Sequence, residues 1–154
     1  MDVRDLALGR AFDLIFIPFH SFTEVLALED ERQVLRRVAD HLAGTGRFIC
    51  TLHNPAVRLQ AVDRPYGLWL ERPLPGGAGT VLLWGVQQVD AAREIVTVQE
   101  FFEVYDPANM MQARHRVQLQ FRLLAPDQFR AMATEAGFAV EALYGNYDRS
   151  DFDP

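Results

Sequence analysis

A chain of 154 residues with 49% hydrophobic and 23% charged residues fits one soluble globular domain with a sizeable core, and excludes disorder over most of its length. The net charge of −6, with all fifteen basic residues Arg and none clustered, excludes the electrostatic footprint of a nucleic-acid or anionic-membrane binder. A single cysteine, Cys50, excludes an internal disulfide framework and suits a reducing compartment.

The opening "MDVRDLALGR" has acidic residues where a secretory signal needs a basic end and an apolar core, and no segment approaches the roughly 20 apolar residues of a membrane span. The expectation is a cytoplasmic protein. Next comes "FDLIFIPFHSF", whose unbroken apolar run over 14–17 predicts a strand covered on both faces, as in a parallel sheet. Its carboxyl end carries Pro18, Phe19, His20 and Ser21. Ser21 and Glu24 have the spacing of a capping box, predicting a short helical turn through Leu28. Over 30–43, Val34, Leu35, Val38 and Leu42 share one face, Asp30, Glu31 and the arginines form a solvated one, and Gly44 and Gly46 are stop signals. Residues 47–52, "RFICTL", are a second short apolar strand that buries Cys50 as an inert thiol and closes at His53, Asn54 and Pro55. Strand, helix, strand in this order is a crossover unit of a parallel sheet.

A Pro- and Gly-dense loop over 72–79 separates this unit from a region of different character. Residues 80–124 read as three strands of about ten residues, with turns near 90–93 and 106–110. In the last, Val117, Leu119, Phe121 and Leu123 alternate with Arg116, Gln118, Gln120 and Arg122, as expected of an antiparallel meander with one apolar and one wet face. Pro126 opens a helix with an apolar stripe of Phe129, Met132, Ala133 and Ala136, ended by Gly137. "FAVEALYGNYD" follows as a last strand or extended segment.

The order of these pieces resembles the C-terminal portion of a class I, Rossmann-like methyltransferase that uses S-adenosylmethionine. "DVRDLALGRAFDLIFIPFHSF" looks like the stretch from the acidic residue after the family's third strand through its fourth strand. "LRRVADHLAGTGRFICTL" looks like the following helix, turn and fifth strand, and "PDQFRAMATEAGFAVEALYGNYD" like the helix, turn and sixth strand. The resemblance implies an α/β fold: a partial Rossmann-like methyltransferase sheet of strands four, five and six, with an inserted three-stranded antiparallel meander over 80–124 of a single domain spanning 1–154. The family's first strand with its Gly-rich loop has no counterpart here. "PGGAGT" follows a Pro-rich loop and leads into a strand, so it fails the required context. In the family the fourth strand lies beside the first, so the strand over 12–19 is expected to have an open apolar edge. Another chain could supply its neighbour, two copies could pair there as a homodimer, or the sequence could be a fragment of a longer product. The missing loop favours truncation.

The resemblance implies S-adenosylmethionine as cofactor, with Asp2 and Val3 at the adenine and Ile17, Pro18 and Phe19 as the wall beside it, and with low activity for this chain alone. In open α/β sheets the site lies outside the carboxyl ends of the strands, which points to His20 after one strand and to His53 and Asn54 after the next. A neutral imidazole can accept a proton, so His20 is the candidate catalytic residue; the alternative is an ordinary loop histidine. His53 and Asn54 are candidate acceptor contacts or hydrogen-bonded turn residues. In many relatives such an insertion covers the substrate pocket, so Trp84 and Arg116 are candidate contacts to a small-molecule methyl acceptor, with core packing the alternative for the ring. His20 and His53 lack a third ligand at metal spacing, so no metal is expected. Two other readings stay open: a non-enzymatic interaction module pairing through its strand edge, and an independent α+β domain whose likeness is only architectural.

Overall fold

The computed structural model describes residues 2–62 and 65–153. Two compact units divide the chain: residues up to Ala56 together with those from Arg122 onward, and Val57–Phe121.

In the first unit, strand β1 (Phe12–Ile17) is followed by a short 3-10 turn, helix α1 (Leu28–Asp40) and strand β2 (Leu42–Cys50), and β1 and β2 pair in parallel. Alternation along each strand sends Ile15, Ile17, Phe48 and Cys50 against a core of Phe22, Val34, Leu35, Val38, Leu124 and Met132. The other face is bare: Leu14 is 52%, Phe16 61% and Ile49 53% exposed. The apolar run of β1 is therefore covered on one face, where its sequence predicts two. Among the described residues β2 is its only partner strand, so the opposite edge of β1 is open, as expected.

Helix α1 starts earlier and ends earlier than its periodicity predicts, because His41 stops it before the glycines do. The Nδ1–H of His41 donates to the Arg37 carbonyl at 2.7 Å, while its Nε2 accepts from the Leu8 amide at 2.9 Å, which fixes the tautomer and pins the N-terminal arm to the helix end. Gly44 and Gly46 lie inside β2 instead, at an irregularity where the ladder jumps from Phe12↔Leu42 to Leu14↔Arg47. A Cβ at residue 46 would stand 2.9 Å from the Phe12 carbonyl oxygen, so only glycine fits. Glu31, read from sequence as solvent-facing, is fully buried. The capping box is also absent: Ser21 Oγ donates to the Pro18 carbonyl at 3.1 Å, and the residue before the 3-10 turn Ser21–Glu24 is His20, without a side-chain cap.

Helix α2 (Pro55–Val62) leads into the second unit, a sheet in the order β3 (Gly67–Pro73), β4 (Thr80–Asp90), β5 (Ile95–Tyr105), β6 (Met111–Arg122). The strands β4 and β5 pair along their whole length from Thr80↔Tyr105 to Asp90↔Ile95. Both turns have an Asp that accepts backbone amides: Asp90 from Ala92 and Arg93, and Asp106 from Ala108 and Met110. The meander thus has a fourth strand, β3, before the three that the sequence shows. Helix α3 (Pro126–Glu135) returns the chain to the first unit's core through Met132, and Gly137, at φ +96°, lets the chain leave it. The segment expected as a last strand forms none: 138–143 have no regular structure, and 144–151 fold back in a turn closed by one isolated bridge, Tyr144↔Asp151. Among the described residues no helix is long and apolar enough to cross a membrane.

Candidate functional site

The strands β1 and β2 run parallel, so their carboxyl ends open on the same side. Beyond Ile17 the chain turns sharply through two non-glycine residues in the left-handed region, Phe19 (φ 55°) and His20 (φ 63°). Such conformations cost roughly 1–3 kcal/mol each and persist where the surroundings hold them. Here the surroundings do. The His20 amide donates to Thr51 Oγ1 at 3.1 Å, the Thr51 amide to the Ile17 carbonyl at 3.1 Å, and Thr23 binds the His20 carbonyl through both its amide (2.9 Å) and its hydroxyl (2.7 Å). This network ties the loop after β1 to the loop after β2.

It also brings two of the sequence candidates together. The rings of His20 and His53 stack, with centroids 4.1 Å apart and planes within 10°. Phe19 beside them is 81% exposed, whereas Ile17 and Pro18 are half-buried, Ile17 against the core. Asn54 is committed elsewhere: Oδ1 accepts from the Ala56 amide at 3.0 Å, capping α2, and Nδ2 donates to the Asp153 carbonyl at 3.3 Å.

Asp2 caps the 3-10 turn Val3–Asp5 and meets Arg4, whose Nη2 lies 2.7 Å away. Hydrogen bonds from the Arg4 side chain, then from its backbone amide, hold the Asp2 carboxyl down at about 2. Arg4 in turn reaches Asp30 at 2.7 Å, and its carbonyl accepts from Gln33. Asp2 and Val3 are thus exposed and fastened to α1.

Trp84 and Arg116 belong to the second unit and share one face of its sheet: Trp84 stands opposite Phe101, and Arg116 reaches Gln99, two residues along the same strand, at 3.3 Å. Around Trp84 lies a group that the sequence reading missed. Glu103, buried, accepts from Trp84 Nε1 (3.0 Å) and Tyr105 OH (3.1 Å) and pairs with Arg114 (3.4 Å). Tyr66 stacks on Trp84 and meets Phe101 edge-on. A carboxylate in the middle of the apolar run "FFEVY" was the available signal. For Thr51 there was none, since its role depends on the loop across from it.

Among the described residues no three His, Cys, Asp or Glu side chains gather as a metal site. A groove of about 420 Å³ runs along Gln33, Arg36, Arg37 and Asp40 of α1 beside Ala136, lined by none of the candidate residues. An acidic residue and a strand-end wall are present for a nucleoside cofactor. A Gly-rich turn between a strand and a helix is not found among the described residues: Gly76 and Gly77, with positive φ, sit in the turn Pro75–Gly77 that leads into β4. Of the described residues, the exposed Asp2, tied to Arg4, and the exposed Phe19 would face one side of such a cofactor.

No family model matches the sequence, and no curated protein is significantly similar to it. Solved structures do match. A S-adenosylmethionine-dependent methyltransferase from Clostridium acetobutylicum superposes with TM-score 0.74 at 18% identity, over 88% of this chain and 51% of that one. The chain has the fold of about half of that methyltransferase structure. The sugar N-methyltransferase KedS8 from Streptoalloteichus matches with TM-score 0.69 at 17% identity, over 89% of this chain and 52% of that one. CalS10, an amino pentose methyltransferase from Micromonospora echinaspora solved with S-adenosylmethionine bound, matches with TM-score 0.72 at 19% identity, over 89% and 54%. The chain therefore spans about half the length of these methyltransferase structures, and the α/β fold with its antiparallel meander is the portion it shares with them.

Proposed function

We propose that this chain supplies the acceptor-activating part of an S-adenosylmethionine-dependent methyltransferase acting on a small molecule, and that it is incomplete or inactive by itself. The observation that carries the reading is the parallel β1–α1–β2 unit with His20 and His53 side by side beyond the strands' carboxyl ends. S-adenosylmethionine, when bound, supplies an electrophilic methyl group on a sulfonium. Asp2 and Val3 would hold its adenine side, and Pro18 and the exposed Phe19, with Ile17 behind them against the core, would form the apolar wall beside it. His20 would take the proton from the acceptor's attacking atom. His53 stands beside that atom, and Asn54, held by Ala56 and Asp153, shapes the loop that follows it. Trp84 and Arg116 are acceptor contacts of the meander, a role that rests on resemblance. Two of the similar structures are named as acting on a sugar and an amino pentose, so an amine on a sugar is the first acceptor to test. A cytoplasmic location goes with this reading.

Calorimetric titration with S-adenosylmethionine and its demethylated product, on this chain alone and on a form extended upstream, tests it. Binding only by the extended form is the expected result. Binding by neither sinks the enzyme reading, and binding by the short chain overturns its incompleteness.

A second reading has its own observation. The open edge of β1 lies beside exposed Leu14 and Phe16, a surface suited to strand addition by a partner chain or a second copy. Concentration-dependent dimers that bind no cofactor favour a non-enzymatic interaction module.

A further inference from the structure

The stack of His20 on His53 follows from the register of the ladder. Ile17 pairs with Cys50, and because the strands are parallel, residues at equal distances beyond that pair emerge side by side. His20 is three residues past Ile17, and His53 is three past Cys50. The match holds through the loops because the His20 amide is bonded to Thr51 Oγ1 and the Thr51 amide to the Ile17 carbonyl.

An imidazole on a loop has two side-chain torsions, and the second is broad, so its plane is poorly fixed by its own backbone. A general base works only when a ring nitrogen points at the proton to be removed. The backbone of His20 is locked in the left-handed region by its bonds to Thr51 and Thr23, which settles where the side chain starts but not which way the ring faces. The face-to-face contact with His53 restricts the ring to one plane. We propose that His53 is a positioning residue: its imidazole stacks on that of His20 and holds the plane of the base. This inference rests on the proposed role of His20 and gives His53 a task distinct from touching the acceptor.

The test uses the chain as it stands, in the wild type, His53→Ala and His53→Phe, with proton–carbon spectra of the histidine rings. A ring stacked on another is shifted upfield by its neighbour's ring current. The His20 ring protons are expected to lose that shift in His53→Ala and to keep it in His53→Phe, which retains an aromatic face and no ring nitrogen. Core methyl resonances of Leu35 and Val38 serve as the control for folding. His20 resonances that do not move in His53→Ala, or that move equally in both variants, overturn the proposal. Titration of this chain and of the form extended upstream with S-adenosylmethionine separates this from the broader reading: an intact stack with no cofactor binding by either form removes the methyltransferase function, whereas binding by the extended form with an unaffected His20 removes only the positioning role.

Discussion

Arg122 Nη1 lies 2.5 Å from Glu31 Oε2, with Glu31 fully buried and Arg122 9% exposed. Glu31 sits on the same side of α1 as Val34, Leu35 and Val38, so this carboxylate is held in the core by a guanidinium from the last residue of β6. Removing one partner of a buried ion pair costs about 3–5 kcal/mol, while replacing both with apolar groups of similar volume is close to neutral. Glu31→Ala and Arg122→Ala are each expected to lower the denaturant midpoint steeply. The double variant Glu31→Leu with Arg122→Met is expected to recover most of the loss. Single variants as stable as the wild type would mean that water reaches the pair.

That pair also shows where the sequence stops being informative. The residues of α1 declare their helix by period, but Glu31 looks like a first-turn acid because its partner is 91 residues away. The strands β4, β5 and β6 were legible through alternation and through Asp-containing turns, whereas β3, "GLWLERP", has no alternation, a bulge between Leu68 and Leu70, and a terminal Pro. His20 and His53 could be read as neighbours at strand ends. Their stacking could not, since it depends on a ladder register set by an irregularity at Gly44 and Gly46. The capping box failed for a local reason: with His20 in the left-handed region, the Ser21 hydroxyl is turned back to Pro18.

Glu103 offers a separate test within the meander. Its Oε2 accepts from both the Trp84 indole and the Tyr105 hydroxyl, so Glu103→Leu leaves two donors without their acceptor. Each such loss costs about 1–3 kcal/mol when buried. Glu103→Gln keeps an accepting oxygen and gives up the pairing with Arg114, and is expected to cost less. Thermal unfolding ranks the two variants, and Trp84 fluorescence reports whether the indole has moved. Equal stability of both variants and the wild type would show that water replaces the carboxylate.

Burial pushes the Cys50 thiol above its ordinary value of 9.0 to about 12. At neutral pH this leaves about a thousandfold less thiolate than a free thiol has, so alkylation of the folded chain is expected to be slower by that order and to become fast in denaturant. The sign for stability follows from the same shift. The unfolded chain releases the proton first, so the fold is unaffected below about pH 9 and loses stability as pH rises from there toward 12. Cys50→Ala is expected to remove that part of the alkaline slope. Rapid labelling of the native protein at neutral pH would contradict the burial.

The edge of β1 carries the largest consequence. Leu14 and Phe16 face away from the core while Ile15 and Ile17 face into it, so a charge can be placed beside the open edge without disturbing the packing below. Substitutions at exposed positions usually change stability by no more than about 0.5 kcal/mol, and a lysine there opposes strand addition through its need for water. Phe16→Lys is therefore expected to leave the unfolding midpoint in place while abolishing concentration-dependent association measured by sedimentation. Ile15→Lys, which forces a charge into the core, is expected to destabilise the first unit strongly, and so separates loss of pairing from loss of folding. Association that survives Phe16→Lys would place the contact on another surface. A wild type that stays monomeric at all concentrations would exclude self-pairing at β1 and leave its edge for a strand of a different polypeptide segment.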